Sequence, residues 1–166
     1  MKREKDCMKK KVYIFFIILL MVFVFIFGRG IYFYVRYIVP DKNYFGDQYK
    51  EILYPMSFRD NKQASMLMIK VDDAFSFIGN KADADNIYGE LSRYCITEED
   101  AITEEHTLQL VTANFDKDKG YMWFVYNQKS FDRSNKSTGG SQDILVRLNL
   151  MKTDQGWIFV DTKEHP

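Results

Sequence analysis

The chemically richest stretch of the chain is its end, DQGWIFVDTKEHP, residues 154–166. It brings together Trp157, Asp161, Glu164 and His165, and carboxylates and imidazoles are the usual general acids and bases of enzymes. Such groups act only when a rigid element holds them within hydrogen-bond reach of a substrate. The question is therefore which elements would position these four side chains.

The stretch has the alternation of a β-strand rather than the convergence of an active site. Side chains along a strand alternate between faces, which predicts one face made of Trp157, Phe159 and Asp161, and the other of Ile158 and Val160. Glu164 and His165 follow at the terminus, where fraying denies fixed geometry. We therefore expect a last strand and an exposed tail, with no catalytic role.

Two further groups of residues could do chemistry. His106 follows Glu104 and Glu105, a metal-binding combination that lacks an obvious third and fourth ligand, so a surface histidine is expected. Asp72 lies beside the apolar stripe of a predicted helix and is expected in solvent, with a cavity as the alternative. No nucleophile-elbow, P-loop, dinucleotide-binding or H-E-x-x-H motif occurs. The sequence thus assigns no catalytic, cofactor-binding or metal residue, and a non-enzymatic protein is expected.

Charge divides the chain into two unlike parts. Residues 1–11 hold six Lys/Arg against two acids, whereas residues 41–166 hold 15 Lys/Arg against 21 Asp/Glu. An acidic body argues against nucleic-acid binding, which needs a basic face. A basic tail next to an apolar stretch instead indicates a membrane.

The apolar stretch VYIFFIILLMVFVFIF covers residues 12–27, and with Gly28 it spans about 25 Å as a helix. Lys10, Lys11 and Arg29 can extend toward the two interfaces of a bilayer core of about 30 Å. The run exceeds that of a signal peptide, and no small-residue cleavage site follows. An uncleaved anchor is expected, with the basic end in the cytoplasm and the acidic body outside.

These features predict four segments: a basic cytoplasmic tail (1–11), a transmembrane helix (12–35), a juxtamembrane connector (36–58) and an extracytoplasmic domain (59–166). Aromatic residues after Arg29 suit the headgroup layer, namely Tyr32, Phe33, Tyr34 and Tyr37. Cys7 and Cys95 would lie on opposite sides of the bilayer. Cys95 is therefore expected to be a buried, unreactive thiol, with an intermolecular disulfide as the alternative.

The domain begins with helical periodicity. Residues 59–78 place an apolar stripe at helical spacing: Ala64, Leu67, Met68, Val71, Ala74, Phe75 and Ile78. A second helix is predicted over residues 83–94, with Ile87, Leu91 and Tyr94 or Cys95 inward. TEED, residues 97–100, resembles a capping box and predicts one more short helical turn.

After Thr103 the period becomes two, which predicts four antiparallel strands in a meander. In the first strand Leu108 and Leu110 are expected on one face, with Val111, Ala113 and Phe115 on the other. The second strand carries aromatic residues on both faces, as a strand covered on both sides does. Residues 133–142 are predicted as a long mobile loop. The third strand is expected to turn Ile144, Val146, Leu148 and Leu150 to the core. Helices packed on a four-stranded antiparallel curved sheet make an α+β fold.

The closing hairpin, residues 144–161, runs as an apolar strand, a polar turn, Gly-Trp, apolar residues and Asp. This pattern resembles the nuclear transport factor-like, or cystatin-like, cone-shaped superfamily. With one anchor and a short basic tail, the chain looks like the inner-membrane scaffold subunit of type IV secretion and conjugation systems, although its helical half is shorter. The resemblance implies a non-enzymatic role through protein contacts.

Two functions are compatible with these observations. The first is a membrane-anchored interaction or assembly module, whose partners are the lipid bilayer and either another envelope protein or a second copy. The alternative is a small-ligand-binding or enzymatic domain with a cavity lined by aromatic residues and Asp72. The aromatic candidates are Tyr121, Trp123, Phe124 and Tyr126.

Overall fold

The computed structural model describes residues 2–41 and 44–164, and the side chains of residues 12–40 and 44–164. His165 and the side chain of Cys7 lie outside this part. The described elements follow one another as a long N-terminal helix, two further α-helices and a sheet. The predicted fold class, an apolar N-terminal helix followed by helices on a four-stranded antiparallel sheet, is confirmed.

The first helix, α1, covers Lys2–Phe33 and continues through a π-helical turn, Tyr34–Ile38, and a 3-10 turn, Val39–Asp41. Its segment Val12–Ile38 is long and apolar enough to cross a membrane, and its most apolar window has a mean hydropathy of 2.7 and no buried residue. This exposure excludes a core helix of the domain. Membrane anchors and signal sequences both have these properties.

The last turns of α1 pack on the domain. Phe33 and Ile38 are fully buried against the sheet, so the expectation that Phe33 faces lipid headgroups was wrong. Residues 36–58, predicted as a connector, include a 3-10 helix at Gly46–Leu53 that contributes buried Ile52 to the same cluster. Residues 44–53 therefore pack as part of the folded domain.

Helix α2 covers Phe58–Phe75, and the side chain of Ser57 caps it by accepting a hydrogen bond from the Asp60 amide. The predicted inward positions are confirmed for the buried residues Ala64, Leu67, Val71, Ala74 and Phe75. The helix ends three residues before the predicted Ile78. Its apolar stripe thus faces the sheet, as helical spacing requires.

The second predicted helix is broken. Helix α3 covers only Lys81–Tyr88, and a 3-10 helix, Gly89–Tyr94, follows it. Gly89 has a φ of +56°, which favours glycine and ends the α-helix there. Leu91 and Tyr94 are buried as predicted, but Ile87 is 61% exposed, so its inward assignment was wrong.

Residues 97–100 form a turn without a helix, contrary to the capping-box prediction. The sheet follows as β1 (Thr103–Phe115), β2 (Lys119–Phe131), β3 (Ser137–Thr153) and β4 (Gly156–Glu164), ordered β1-β2-β3-β4. Because β3 begins at Ser137 and pairs with β2 from there, most of the predicted mobile loop 133–142 is strand.

Two bulges change which side chains share a face. One lies between Leu110 and Thr112, so Ala113 and Phe115 return to the face of Leu108 and Leu110, not the opposite face as predicted. Of the three residues predicted on the opposite face, only Val111 packs there. An extra residue in one strand shifts its alternation by one and bends the strand.

The second bulge lies where Asn149 pairs with Asp161 and Leu150 with Phe159. Trp157 and Phe159 pack on the helix side, whereas Asp161 shares a face with Asn149, whose side-chain amide donates to it at 2.9 Å. The prediction that Asp161 shares a face with Trp157 was therefore wrong.

The sheet carries a core on each face. The inner core, between the sheet and α2, contains Met122, Phe124, Tyr126 and the predicted inward residues of β3. The outer core lies against the end of α1 and contains Phe33, Ile38, Phe45, Ile52, Val111, Trp123, Val125 and Leu145. The prediction that β2 is covered on both faces is confirmed.

Candidate functional site

The aromatic residues proposed to line a cavity do not lie together. Phe124 and Tyr126 belong to the inner core, whereas Tyr121 and Trp123 belong to the outer core. Asp72 lies on α2, with 61% of its side chain exposed. These five residues therefore cannot form the walls of one cavity.

Aromatic rings pack against each other in the inner core. The rings of Phe75 and Tyr94 stack with centroids 4.8 Å apart, and Tyr126 meets Phe75 edge-to-face at 4.9 Å. Phe124 lies 6.1 Å from Tyr94. These side chains are almost fully buried, so this part of the inner core is filled by protein.

Glu164 is part of β4 and is not an exposed tail residue as predicted. The hydroxyl of Tyr126 donates to its carboxylate at 2.8 Å, and the hydroxyl of Tyr44 donates to its carbonyl. Burial raises the pKa of Tyr94 and of Tyr126, and the nearby Glu164 raises both further. Among the described residues the buried Tyr94 hydroxyl has no hydrogen-bond partner.

His106 is an ion-pair partner and not the exposed surface residue that was expected. Its Nε2 lies 2.9 Å from Asp72 and its Nδ1 lies 2.9 Å from Glu104, and only 11% of its side chain is exposed. Burial lowers the pKa of His106, but the hydrogen bonds and charges of the two carboxylates outweigh it and the pKa is raised. His106 thus links β1 to α2, with its ring against Phe75.

The strongest polar contacts lie on the outer face, where the 3-10 helix Gly46–Leu53 meets the sheet. Arg147 donates from Nε and Nη2 to the two carboxylate oxygens of Glu51, each at 2.8 Å. Trp123 Nε1 donates to the same carboxylate at 2.8 Å. Arg147 is only 6% exposed, and its guanidinium lies 5.2 Å from the ring centre of Tyr121.

These contacts also affect Tyr121, whose pKa is raised to about 12, first by burial and then by the Glu51 carboxylate. A bidentate, buried Arg–carboxylate pair fixes orientation more strictly than an exposed pair does. The pair therefore holds the 3-10 helix in one position on the sheet.

Helix α1 is attached to this face by its own residues. A Cβ at Gly30 would lie 2.7 Å from the carbonyl oxygen of Ile52, so only glycine permits this approach. Arg29 donates to the carbonyl of Leu110 at the first bulge, and Arg36 donates to Asp143 at 2.6 Å. We call the end of α1, the 3-10 helix Gly46–Leu53 and the outer face of the sheet the junction.

Beside the junction lies a groove of about 730 Å³. One wall is α1 at Phe25, Ile26, Arg29 and Gly30, and the other wall is residues 52–58. Three of its aromatic residues are largely exposed: Phe25 at 89%, Tyr54 at 64% and Phe58 at 87%. We call this the membrane-proximal groove.

The residues of the junction were not identified from the sequence. The alternation that turns Val146 and Leu148 to the core puts Arg147 on the opposite face of the third strand, yet a single arginine among Leu145, Val146 and Leu148 is the pattern of a buried charge that needs a partner. Its partner Glu51 lies 96 residues away. Among the described residues no group of His, Cys, Asp or Glu could hold a metal ion.

Comparison with protein-family models and with curated proteins gave no match for this chain.

Proposed function

We propose that the protein is a single-pass, membrane-anchored interaction or assembly module that acts through protein contacts, without catalysis. The exposed apolar segment of α1 supports anchoring. The six basic residues before it favour a cytoplasmic N-terminus, and the acidic composition of residues 41–166 suits an extracytoplasmic domain. A role as a subunit of a secretion or conjugation machine is the more specific form, supported by the resemblance of residues 144–161.

The observation that carries this proposal is the junction. The domain does not hang from α1 on a loose linker, because Arg29 and Arg36 donate hydrogen bonds to Leu110 and Asp143 on the sheet, and Gly30 packs against the carbonyl of Ile52 on the 3-10 helix. The buried Glu51–Arg147 pair fixes the intervening 3-10 helix as well. Such an attachment would give the domain a fixed height and orientation above the bilayer, which suits an assembly subunit that presents one surface to its partner.

A surface for a protein partner is available along β1. This strand is an edge of the sheet order, and edge strands can pair with another chain. Beside it a shallow hollow of about 390 Å³ lies between α2 and β1, lined by Ser65 and Ile69 on α2 and by Leu108 on β1, and Ile69 is 62% exposed. An incoming strand could pair with β1 while its side chains cover these residues.

The test is photo-crosslinking in cells. A tagged full-length protein would carry a photoreactive amino acid at Ser65 or Ile69, with Asn135, in the turn between β2 and β3, as an exposed control that does not line this hollow. We expect positions 65 and 69 to crosslink to one envelope protein or to a second copy, and position 135 not to do so. Recovery of the uncrosslinked protein alone from both positions would contradict the proposal.

Ligand binding is the second candidate, favoured by the unpartnered hydroxyl of Tyr94 beside Tyr126 and Glu164. A polar ligand could satisfy that hydroxyl, but it would have to displace the aromatic rings that fill the inner core. Screening of metabolites by thermal shift on wild type and Tyr94→Phe tests it. A ligand that stabilises the wild type and loses this effect in Tyr94→Phe would favour binding.

A further inference from the structure

We propose that residues 54–58 rest in the headgroup layer of the bilayer and that the membrane-proximal groove holds a phospholipid of that same bilayer. The inference rests on the proposed membrane anchoring of α1. It adds a second, peripheral contact between the domain and the membrane, and it names the chemistry of the occupant: an acyl chain in the groove and a phosphate near Arg29.

The position of the groove along α1 is the main observation in favour of a lipid occupant. The apolar run of α1 ends at Phe27, and Arg29 is the first charged residue after it. Phe25 and Ile26, which belong to that run, form one wall of the groove. At 1.5 Å per residue, Phe25 lies about 6 Å along the helix axis from Arg29. The groove therefore opens at the boundary between hydrocarbon and headgroups, where acyl chains are the available apolar material.

The opposite wall has the composition of an interfacial segment. Residues 54–58 read YPMSF, with Tyr54 and Phe58 at 64% and 87% exposed. Aromatic residues are enriched where membrane and water meet, because their rings tolerate both environments. On a water-facing surface, Phe58 and Phe25 on two sides of one groove would form an uncovered apolar patch. At the bilayer boundary lipid covers both.

The charges around the groove suit an anionic phosphate. Arg29 lines it, and its guanidinium has further N–H donors beyond the one that binds the Leu110 carbonyl. The side chain of Arg59, next to Phe58 on α2, is 79% exposed but does not line the groove; it donates to the Phe115 carbonyl and lies 3.6 Å from Asp60. At the bilayer boundary the Arg29 guanidinium can bind the phosphate of a phospholipid headgroup through charge-assisted hydrogen bonds.

Fluorescence quenching in lipid nanodiscs tests the inference on the full chain. Phe58→Trp adds an indole at the groove, and Ile87→Trp adds one at a position that is 61% exposed in the wild type. The Ile87 position lies away from the groove, because Ile87 lies beside Lys70 and Asp73 and Lys70 is about 18 Å from Phe58 along the axis of α2. The indole of Ile87→Trp therefore serves as the control. Wild type, with Trp123 and Trp157, supplies the background. The probe is phosphatidylcholine brominated on its acyl chains, which quenches indoles that reach the lipid.

We expect brominated lipid to lower the added fluorescence of Phe58→Trp about twofold, because an interfacial indole reaches the upper acyl region, and to leave Ile87→Trp unchanged. Equal quenching of both variants, or of neither, would overturn the inference. Resistance of the protein to carbonate extraction is measured in parallel. Failure of that test contradicts the anchor itself, whereas an anchored protein with an unquenched Phe58→Trp contradicts only the lipid contact.

Discussion

At the scale of single residues, Arg147 shows most clearly how the fold uses charge. A guanidinium that is 6% exposed would be strongly destabilising alone, and Glu51 compensates it with two hydrogen bonds. The same carboxylate also accepts a hydrogen bond from Trp123. One acid from the 3-10 helix therefore satisfies two buried donors of the sheet.

Replacing Glu51 should be costly. Glu51→Ala leaves the buried Arg147 without its charged partner, although the hydrogen bond that Arg147 donates to Asn149 remains. The free energy of unfolding should fall by up to about 3 kcal/mol, the lower end for broken buried pairs, because the Glu51 side chain is 21% exposed. Lys50→Ala is the matched control, since it removes the exposed pair with Asp47 and should cost far less, because solvent screens exposed ion pairs. Thermal and denaturant unfolding of the full-length protein in detergent micelles measures both.

The double variant Glu51→Ala/Arg147→Met tests whether the unpaired charge of Arg147 causes the loss of stability in Glu51→Ala. If the unpaired charge is what destabilises Glu51→Ala, then removing that charge should restore part of the lost stability. A double variant no more stable than Glu51→Ala would show that the cost arises elsewhere.

His106 gives the domain a pH dependence. Its pKa is raised above the ordinary value of 6.5, after burial has lowered it, by Asp72 and Glu104. A raised pKa in the folded state contributes stability that is complete below about 6.5 and is lost as pH rises through the folded-state pKa. Asp72→Asn should therefore lower the melting temperature at acidic pH and flatten its decline above pH 6.5. Melting curves from pH 5 to pH 9 measure this.

Asp73→Asn is the matched control, because Asp73 is the neighbouring exposed carboxylate and lines a different hollow. It should keep the slope of the wild type. An Asp72→Asn profile parallel to that of the wild type would contradict the role of this ion pair.

At the scale of elements, the sequence predicts each helix and strand better than it predicts the boundaries and faces. The inward stripe of α2 follows from spacing alone, because one helix keeps one phase. The faces of β1 and β4 do not, since bulges at Val111 and Val160 shift the alternation by one residue. Local alternation contains no sign of such a shift, which depends on the pairing of two strands.

Helix α3 shows a second reason why the boundaries and faces of an element are hard to predict from the sequence. Its apolar positions Ile87 and Leu91 continue one helical stripe in the sequence, yet the backbone changes direction at Gly89. Gly89 could have been read as a helix end, because glycine is the residue most often found there. The periodicity on both sides of it masked this signal.

Close packing of α1 on the domain depends on Gly30. A side chain there would meet the Ile52 carbonyl, so Gly30→Leu should destabilise the junction by about 1 to 3 kcal/mol. Gly28→Leu is the control, since a Cβ there meets only the Val24 side chain at 3.5 Å, and better helix propensity should make it neutral or slightly stabilising. Amide hydrogen exchange of residues 46–53 reads out the junction directly.

Faster exchange of these amides in Gly30→Leu but not in Gly28→Leu is the expected result. Equal exchange in the two variants would mean that α1 and the 3-10 helix are not packed as described.

At the scale of the whole molecule, the sequence predicts two parts, an apolar helix and an α+β domain, but not how they are joined. The joining contacts link residues that are far apart in the chain: Arg29 and Leu110, Arg36 and Asp143, Glu51 and Arg147. Composition and periodicity describe segments one at a time, so pairings over 80 to 110 residues stay hidden. The candidate site is made of such pairings, which is why sequence reasoning missed it.

The orientation of the whole chain in the membrane can be tested with thiols. A membrane-impermeant maleimide applied to intact cells should label Asn135→Cys, which is exposed on the domain. It should label Cys7 only after permeabilisation, because the proposed orientation puts the basic N-terminal end in the cytoplasm. Cys95 gives little background. Burial raises its pKa from 9.0 to about 11, which lowers the reactive thiolate about a hundredfold at neutral pH.

Cys95→Ala removes this background and serves as the control. Labelling of Cys7 in intact cells would reverse the proposed orientation, and the acidic domain would then face the cytoplasm. Labelling of neither site before permeabilisation would place the whole chain inside. In both cases the junction would still fix the domain on α1. The partner of the domain would then have to be sought among cytoplasmic proteins, because a rigidly attached domain presents its surface only on its own side of the membrane.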